Sequence, residues 1–300
     1  MARPRTLITG GGGFTGRHLA ALLAARGHEV HALVHASEAG PIPHFDAVHA
    51  GNLVDRDSVE QIVQAVQPDH VVHLAAISFV AHGDVSEIYA ANVVGTRLLL
   101  GALAQLPVPP RSILVASSAN IHGNQGGRLT EDSAIAPVND YGVSKVATEM
   151  VCRLFADRLP IIVVRPFNYT GRGQSPNFLI SKIVDHARRR AERIELGNID
   201  VARDFSDVRM VVDAYVRLIE TPKAIGGTFQ LCSGKAVTLG EVLEMVQSLA
   251  GHRMDVAVNP DFVRANEVAT LYGDPARIEA AIGPLGHVPL VDTLRWMLDG

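Results

Sequence analysis

The chain has 300 residues, 47% of them hydrophobic, enough to bury one large core or two smaller ones. Its 27 Lys and Arg against 31 Asp and Glu leave a formal net charge of -4 with the arginines scattered, which excludes the basic footprint of a nucleic-acid binder and points to a small-molecule partner. Two cysteines, Cys152 and Cys232, cannot build a disulfide framework, the apolar run after "MARPR" is too short for a signal peptide, and no run approaches the roughly 18 apolar residues of a membrane span, so a soluble cytoplasmic protein is expected.

The first run, "TLIT" (6–9), leads into "TGGGGFTG" (9–16), which opens the helical "FTGRHLAALLAARG". Gly10, Gly13 and Gly16 have the spacing that lets a backbone turn sharply, approach a pyrophosphate and seat a helix on a sheet, so a dinucleotide is expected on the helix amino terminus. The second run, "EVHALV" (29–34), ends at His35, where an acid would hold the adenosine ribose of NAD. That departure favours NADP(H), with NAD(H) left open because Glu38 stands close by. His31 and His35 share one side of the strand without a third ligand, so no metal is expected. "HVVHLA" (70–75), "SILVAS" (112–117) and "IIVVRP" (161–166) continue the series, apolar without alternation, as strands buried on both faces are. The repetition predicts an α/β fold, a doubly wound parallel sheet of Rossmann type over 1–166, rejoined by about 207–232. The remainder, 167–206 and 233–300, reads as a smaller α/β lobe with helices near 174–190, 238–250 and 275–282. Apolar helices at about 86–105 and 140–158 predict a homodimer.

"SSANIHG" (117–123) follows the fourth of these runs, and "YGVSK" (141–145) lies in a helical segment. A spacing of four puts Tyr141 and Lys145 on one helix face, about 5–6 Å apart at Cβ. An ammonium about 4 Å from the phenol supplies on the order of 4 kcal/mol at an effective dielectric near 20, enough to bring a tyrosine from near 10 towards neutrality. Lys145 is therefore expected to acidify Tyr141.

With "TGGGGFTG", "HLAA" (73–76), "NVVGT" (92–96), "SSANIHG", "YGVSK" and "RPFN" (165–168) in this order, the sequence resembles the extended short-chain dehydrogenase/reductases over essentially its whole length. The resemblance implies Ser118, Tyr141 and Lys145 as catalytic residues. It implies a cofactor site of Gly10, Gly13, Phe14, Thr15, Gly16, His35, Asn52, Leu53, Leu74, Ala75, Ala76, Asn92, Tyr141, Lys145, Arg165 and Phe167. Asn52 stands where the family often shows an Asp, and His122 where it often shows a Tyr. In the second lobe "RPFNYTGRGQ", "GNIDVARDFSDV", "FQLCSG" and "RANEVATLYGDPARI" are similar to stretches of GDP-4-keto-6-deoxy-D-mannose reductases. That likeness implies an NDP-sugar, GDP-linked by preference, held by Ser78, Ser118, Asn120, Asn168, Asn177, Lys182, Arg203, Arg264 and Glu267, although Arg203 and Arg264 read equally well as surface ion pairs.

Asn120 selects the chemistry. Members resembling 4,6-dehydratases carry Glu at this position to take a proton from carbon, and an amide cannot accept one. Ketone reduction needs no carbon base. The sequence therefore predicts an NAD(P)H-dependent 4-ketoreductase of deoxysugar synthesis. A 4-epimerase with retained NAD is the alternative, and a non-catalytic NADP-sensing regulator a remote one.

Overall fold

A computed structural model describes residues 2–38, 40–78, 84–259, 262 and 268–300. In chain order the elements are β1 (Arg5–Thr9), α1 (Phe14–Ala25), β2 (Glu29–Val34), β3 (Ala47–Ala50), α2 (Arg56–Val66), β4 (His70–His73), α3 (Val85–Tyr89), α4 (Gly95–Leu103), β5 (Ser112–Ala116), β6 (Gly127–Leu129), α5 (Asp140–Arg153), β7 (Ile161–Pro166) and β8 (Asn168–Thr170). They continue as α6 (Leu179–Arg188), β9 (Arg193–Leu196), β10 (Ala202–Asp207), α7 (Val208–Ile219), β11 (Thr228–Leu231), β12 (Ala236–Thr238), α8 (Leu239–Ala250), β13 (Asp255–Val258), β14 (Thr270–Gly273), α9 (Ala276–Ile282) and α10 (Leu290–Leu298).

Seven parallel strands form the main sheet in the order β11-β7-β5-β4-β1-β2-β3. Successive residues of a strand face opposite sides. Ile8, Val72, Leu114, Ile162 and Val164 therefore enter a core with α1 and α7, while Leu7, Val71, Ile113, Val115 and Ile161 enter a second core with α2, α4 and α5. Both faces are covered, which is why these strands read as unbroken apolar runs. The result is the Rossmann-type α/β fold.

The second sheet runs β12-β10-β14-β6, with β8 paired to β10. Its core gathers α6, α8 and α10 around Phe205, Val242 and Leu294. The buried Asp204 carboxylate accepts N–H from Ser233 at 2.8 Å, Gly234 at 2.9 Å and Gly273 at 3.3 Å, tying β10 to the ends of β11 and β14. α7 packs on the main sheet and β11 joins it beside β7.

Three features differ from the sequence reading. β3 is a four-residue edge strand, "AVHA", too short to register as a run. β6 leaves the first half of the chain to pair with β14 in the small sheet. Between α3 and α4 a π turn, Ala90–Val94, interrupts what periodicity read as one helix. No described helix is long and apolar enough to cross a membrane.

Candidate active site

The carboxyl ends of β1, β4 and β5 lie side by side in the main sheet, with the amino terminus of α5 against the turn after β5. Gly10 has φ +69°, and a Cβ there would lie 2.9 Å from the N and Cα of Ala75, so the glycine loop and the turn after β4 touch only because Gly10 has no side chain. Leu74 N–H donates to Thr9 O at 3.2 Å, which holds the half-buried Leu74, Ala75 and Ala76 at this junction. Gly13 caps α1 without a side-chain hydrogen bond, leaving the helix amino terminus to an anion, and Gly16 packs on the carbonyls of Gly10 and Gly11. This cradle fits a dinucleotide pyrophosphate.

The Thr15 and Tyr169 hydroxyls hydrogen-bond at 2.8 Å, and Phe14 stacks on Tyr169 with ring centroids 6.2 Å apart. Tyr169 thus joins the glycine loop to β8, a contact the sequence reading missed although "RPFNYTG" contains it. His35, expected beside the adenosine, bonds its own turn, Nδ1 to Ser37 Oγ at 2.8 Å. The same turn brings Glu38 onto the loop, where a Cβ on Gly12 would come within 2.8 Å of its carboxylate oxygen. Asn52 Oδ1 accepts from Val54 N–H at 3.1 Å, and Leu53 packs against Gly95.

Asn92 lies on the π turn and is fully buried. Its amide accepts from Ile77 N–H at 2.8 Å and donates to Ile77 O at 3.2 Å and Ser144 Oγ at 2.9 Å. Its side chain therefore braces the loop after β4 against α5, where the sequence reading had it touching cofactor. A π turn frees backbone carbonyls, and Asn92 O accepts from both Thr96 at 2.6 Å and Thr148 at 2.9 Å.

Ser118 caps the short helical turn Ala119–His122, and Asn139 caps α5 by accepting from Gly142 N–H at 2.8 Å. A Cβ on Gly142 would lie 2.8 Å from Asn120 O, so glycine beside Tyr141 lets the two turns close. Tyr141 and Ser118 face one another in consequence, near enough for the serine hydroxyl to act on the phenol. Ser118 Oγ accepts from the Asn120 backbone N–H and from Asn120 Nδ2, each at 3.1 Å. With both lone pairs engaged, the serine hydroxyl has only its proton left to offer. Asn120 thereby leaves Ser118 one proton to donate, to Tyr141 here or to an oxygen that takes its place.

Lys145 is buried, and its ammonium donates to Ala116 O at 2.8 Å, 5.8 Å from the Tyr141 ring centroid. The expectation that Lys145 acidifies Tyr141 does not hold here. Burial dominates and pushes the phenol up to about 12, with the Ser118 hydrogen bond opposing it. Burial also pulls Lys145 down to about 8, opposed by Cys152 and Glu149. Tyr141 is therefore held protonated at neutral pH, the form in which it can give a proton. Behind Lys145, His73 places Nδ1 2.6 Å from Thr9 Oγ1 and Nε2 2.8 Å from Thr96 Oγ1, and burial pushes it down to about 3.

Arg165, expected at the cofactor, is buried and forks onto Glu149, Nε to Oε1 at 2.9 Å and Nη2 to Oε2 at 2.8 Å. Phe167, likewise expected there, packs in a small core with Ala119, Leu129 and Cys232. On the substrate side, Ser78 is exposed after β4 and Asn168 donates to Asp204 O at 3.1 Å. Asn177 precedes α6. Lys182 donates to Glu195 O at 2.8 Å with its ammonium 4.7 Å from the Phe262 ring centroid. Arg203 donates to Ala202 O at 2.9 Å and Val268 O at 2.8 Å. Arg264 and Glu267 lie outside the described residues. His122, at the common Tyr position, is buried and pairs with Gln230 at 3.0 Å and Ala134 O at 3.0 Å.

The family model described as GDP-mannose 4,6 dehydratase matches residues 7–292. The chain belongs to this family. Among its relatives is the GDP-6-deoxy-D-talose 4-dehydrogenase of Aggregatibacter actinomycetemcomitans, 33% identical over 93% of this chain and 91% of that protein. The GDP-6-deoxy-D-mannose reductase of Pseudomonas aeruginosa is 32% identical over 98% of this chain and 96% of its own length. Among solved structures, a putative epimerase from Burkholderia cenocepacia superposes with TM-score 0.94 at 47% identity over 99% of this chain and 98% of that one. RMD from P. aeruginosa complexed with NADPH gives TM-score 0.85 at 31% identity over 99% and 97%. The dehydratase family thus includes chains named for other chemistry, and the residue at Asn120 bears on which one applies here.

Proposed function

We propose that this chain is an NAD(P)H-dependent oxidoreductase that reduces the C4 ketone of an NDP-4-keto-6-deoxyhexose, GDP-4-keto-6-deoxy-D-mannose by preference. The observation that carries this reading is Asn120 fastened to Ser118, an amide with no basic site where dehydration requires a carboxylate. The names of the A. actinomycetemcomitans and P. aeruginosa relatives support the GDP-sugar, and the NADPH in the P. aeruginosa structure supports the cofactor.

In this reading Gly10, Gly13 and Gly16 hold the pyrophosphate and Lys145 reaches the nicotinamide ribose. A nicotinamide bound there supplies hydride to C4. Ser118 donates a hydrogen bond to the ketone oxygen, and Tyr141 gives that oxygen its proton as the carbon is reduced. Lys145, positively charged below about pH 8, is held by Ala116 O at the strand end, in reach of that ribose.

Incubation with GDP-4-keto-6-deoxymannose and NADPH should bleach absorbance at 340 nm and yield the 4-hydroxyl sugar. Glu38 against Gly12 favours a second reading, since a carboxylate suits the ribose diol of a retained NAD, and the Burkholderia structure carries the name of a putative epimerase. Inversion of a 4-hydroxyl without added cofactor, and no bleaching, would select that 4-epimerase. A purely regulatory NADP sensor has no use for the Ser118, Tyr141 and Lys145 cluster. The reading also includes a cytoplasmic homodimer. Val94 before α4, Val143 and Met150 along α5, and Leu154 just after it are exposed apolar residues at the helices expected to pair.

A further inference from the structure

Lys145 and Glu149 stand one turn apart on α5, the spacing at which an ammonium and a carboxylate ordinarily pair. Here the ammonium turns instead to Ala116 O at 2.8 Å, at the end of the strand that carries Ser118. Glu149 is occupied elsewhere. Both its oxygens are taken by the Arg165 fork, Oε1 also accepts from Ser117 at 2.6 Å, and the two charged side chains are each 4% exposed. Arg165 in turn donates from Nη1 to Glu131 O at 3.0 Å.

We infer that Arg165 is a positioning residue: by forking onto Glu149 it keeps that carboxylate from capturing Lys145, so the ammonium stays at the strand end beside Ser118 and Tyr141. The inference rests on the reading that this cluster works with a nicotinamide cofactor. A buried carboxylate stripped of its partner recruits the nearest cation. From α5 the groups facing Lys145 are Tyr141, Glu149 and Cys152, and from β4 it is His73. Of these only Glu149 is a carboxylate, ion-paired with Arg165, while burial pushes Tyr141 and Cys152 up to about 12 and His73 down to about 3. Ser117 links the pair to the backbone between Ala116 and Ser118, so a shift of Glu149 is felt at both catalytic groups.

The test compares Arg165→Met, Glu149→Gln and the double variant Arg165→Met/Glu149→Gln with the parent. Arg165→Met should weaken NADPH binding about tenfold or more, the worth of one charge-assisted hydrogen bond to the ribose. Glu149→Gln added to it removes the competing charge and should restore binding to within about threefold, a non-additivity that a merely structural pair would not give. The chain has four lysines, Lys145, Lys182, Lys223 and Lys235, so the titration of Lys145 can be followed by NMR of lysine labelled at Cε, without cofactor or substrate. Arg165→Met should raise it and Glu149→Gln lower it, each by about one pH unit or more.

Parental NADPH affinity in Arg165→Met, or a double variant as weak as the single, would overturn the inference. So would a lysine titration unmoved in Glu149→Gln, the near-isosteric variant that still accepts from Ser117 and decides the matter if Arg165→Met does not fold. If the parent itself bound no NADPH, the cofactor reading would fail while the NMR titrations still judged the arrangement around Lys145.

Discussion

Asn120→Asp changes one atom type at the point where the donor ledger of the site is fixed. Asn120 Nδ2 gives a hydrogen to Ser118 Oγ at 3.1 Å, and with the backbone N–H at the same distance it leaves Ser118 able only to donate. A carboxylate in its place accepts where the amide gave, drawing the serine proton to itself and away from Tyr141 and the ketone. Losing one donor aimed at a developing oxyanion costs on the order of 10²–10³ in kcat, about 3–4 kcal/mol. Asn120→Ala removes the orienting bond without reversing it and forfeits one neutral hydrogen bond of about 1 kcal/mol, roughly fivefold. NADPH oxidation at 340 nm, with kcat and KM determined separately, should rank the parent above Asn120→Ala and that above Asn120→Asp, with the losses chiefly in kcat. An aspartate variant within about threefold of the parent, or an alanine variant slower than the aspartate one, would refute the reasoning.

Acid should unfold the protein through its buried histidines. Burial pushes His73 down to about 3 and His70 to about 4, below the ordinary 6.5, so the stability tied to their neutral forms is complete above 6.5 and drains away as pH falls towards those values. His73 alone accounts for about 2 kcal/mol between pH 7 and pH 5, to be read as a lower urea midpoint, and equal midpoints would contradict it. Glu38→Gln removes a negative charge from the edge of the glycine loop and should tighten NADPH relative to NADH by about fivefold in a fluorescence titration, a Coulomb effect of about 1 kcal/mol near water. An unchanged ratio would mean the carboxylate does not face the ribose. Met150→Glu with Leu154→Glu should halve the mass seen by light scattering if α5 forms the dimer contact, and an unaltered mass would move the contact elsewhere.

The main sheet was legible because its strands are buried on both faces, so Leu7 and Ile8, or Val71 and Val72, are both apolar although they enter different cores. β3 escaped notice because an edge strand of four residues with His49 in it has neither length nor composition to stand out. Spacing placed Tyr141 and Lys145 on one helix face, whereas Ser118 came from the family resemblance, and only the fold shows that Gly142 permits its approach. What spacing could not reveal is the balance of burial against charge, which reversed the expected direction at Tyr141. Nor could it show that Arg165 and Asn92 are turned inward, because their partners Glu149 and Ile77 are 16 and 15 residues away along the chain. The Thr15–Tyr169 contact joins residues 154 apart and leaves no periodic trace.

β6 has a bearing on heredity as much as on architecture. Between Ser118 and Tyr141 the polypeptide makes an excursion, lends Gly127–Leu129 to the small sheet beside β14, and comes back. A gene fragment encoding only the first 166 residues would keep every reactive side chain yet lose the strand against which that excursion is seated. Swapping the half after residue 166 between relatives therefore disturbs the spacing of serine and tyrosine as well, so new specificities on this scaffold should arise by scattered point changes sooner than by shuffling of modules.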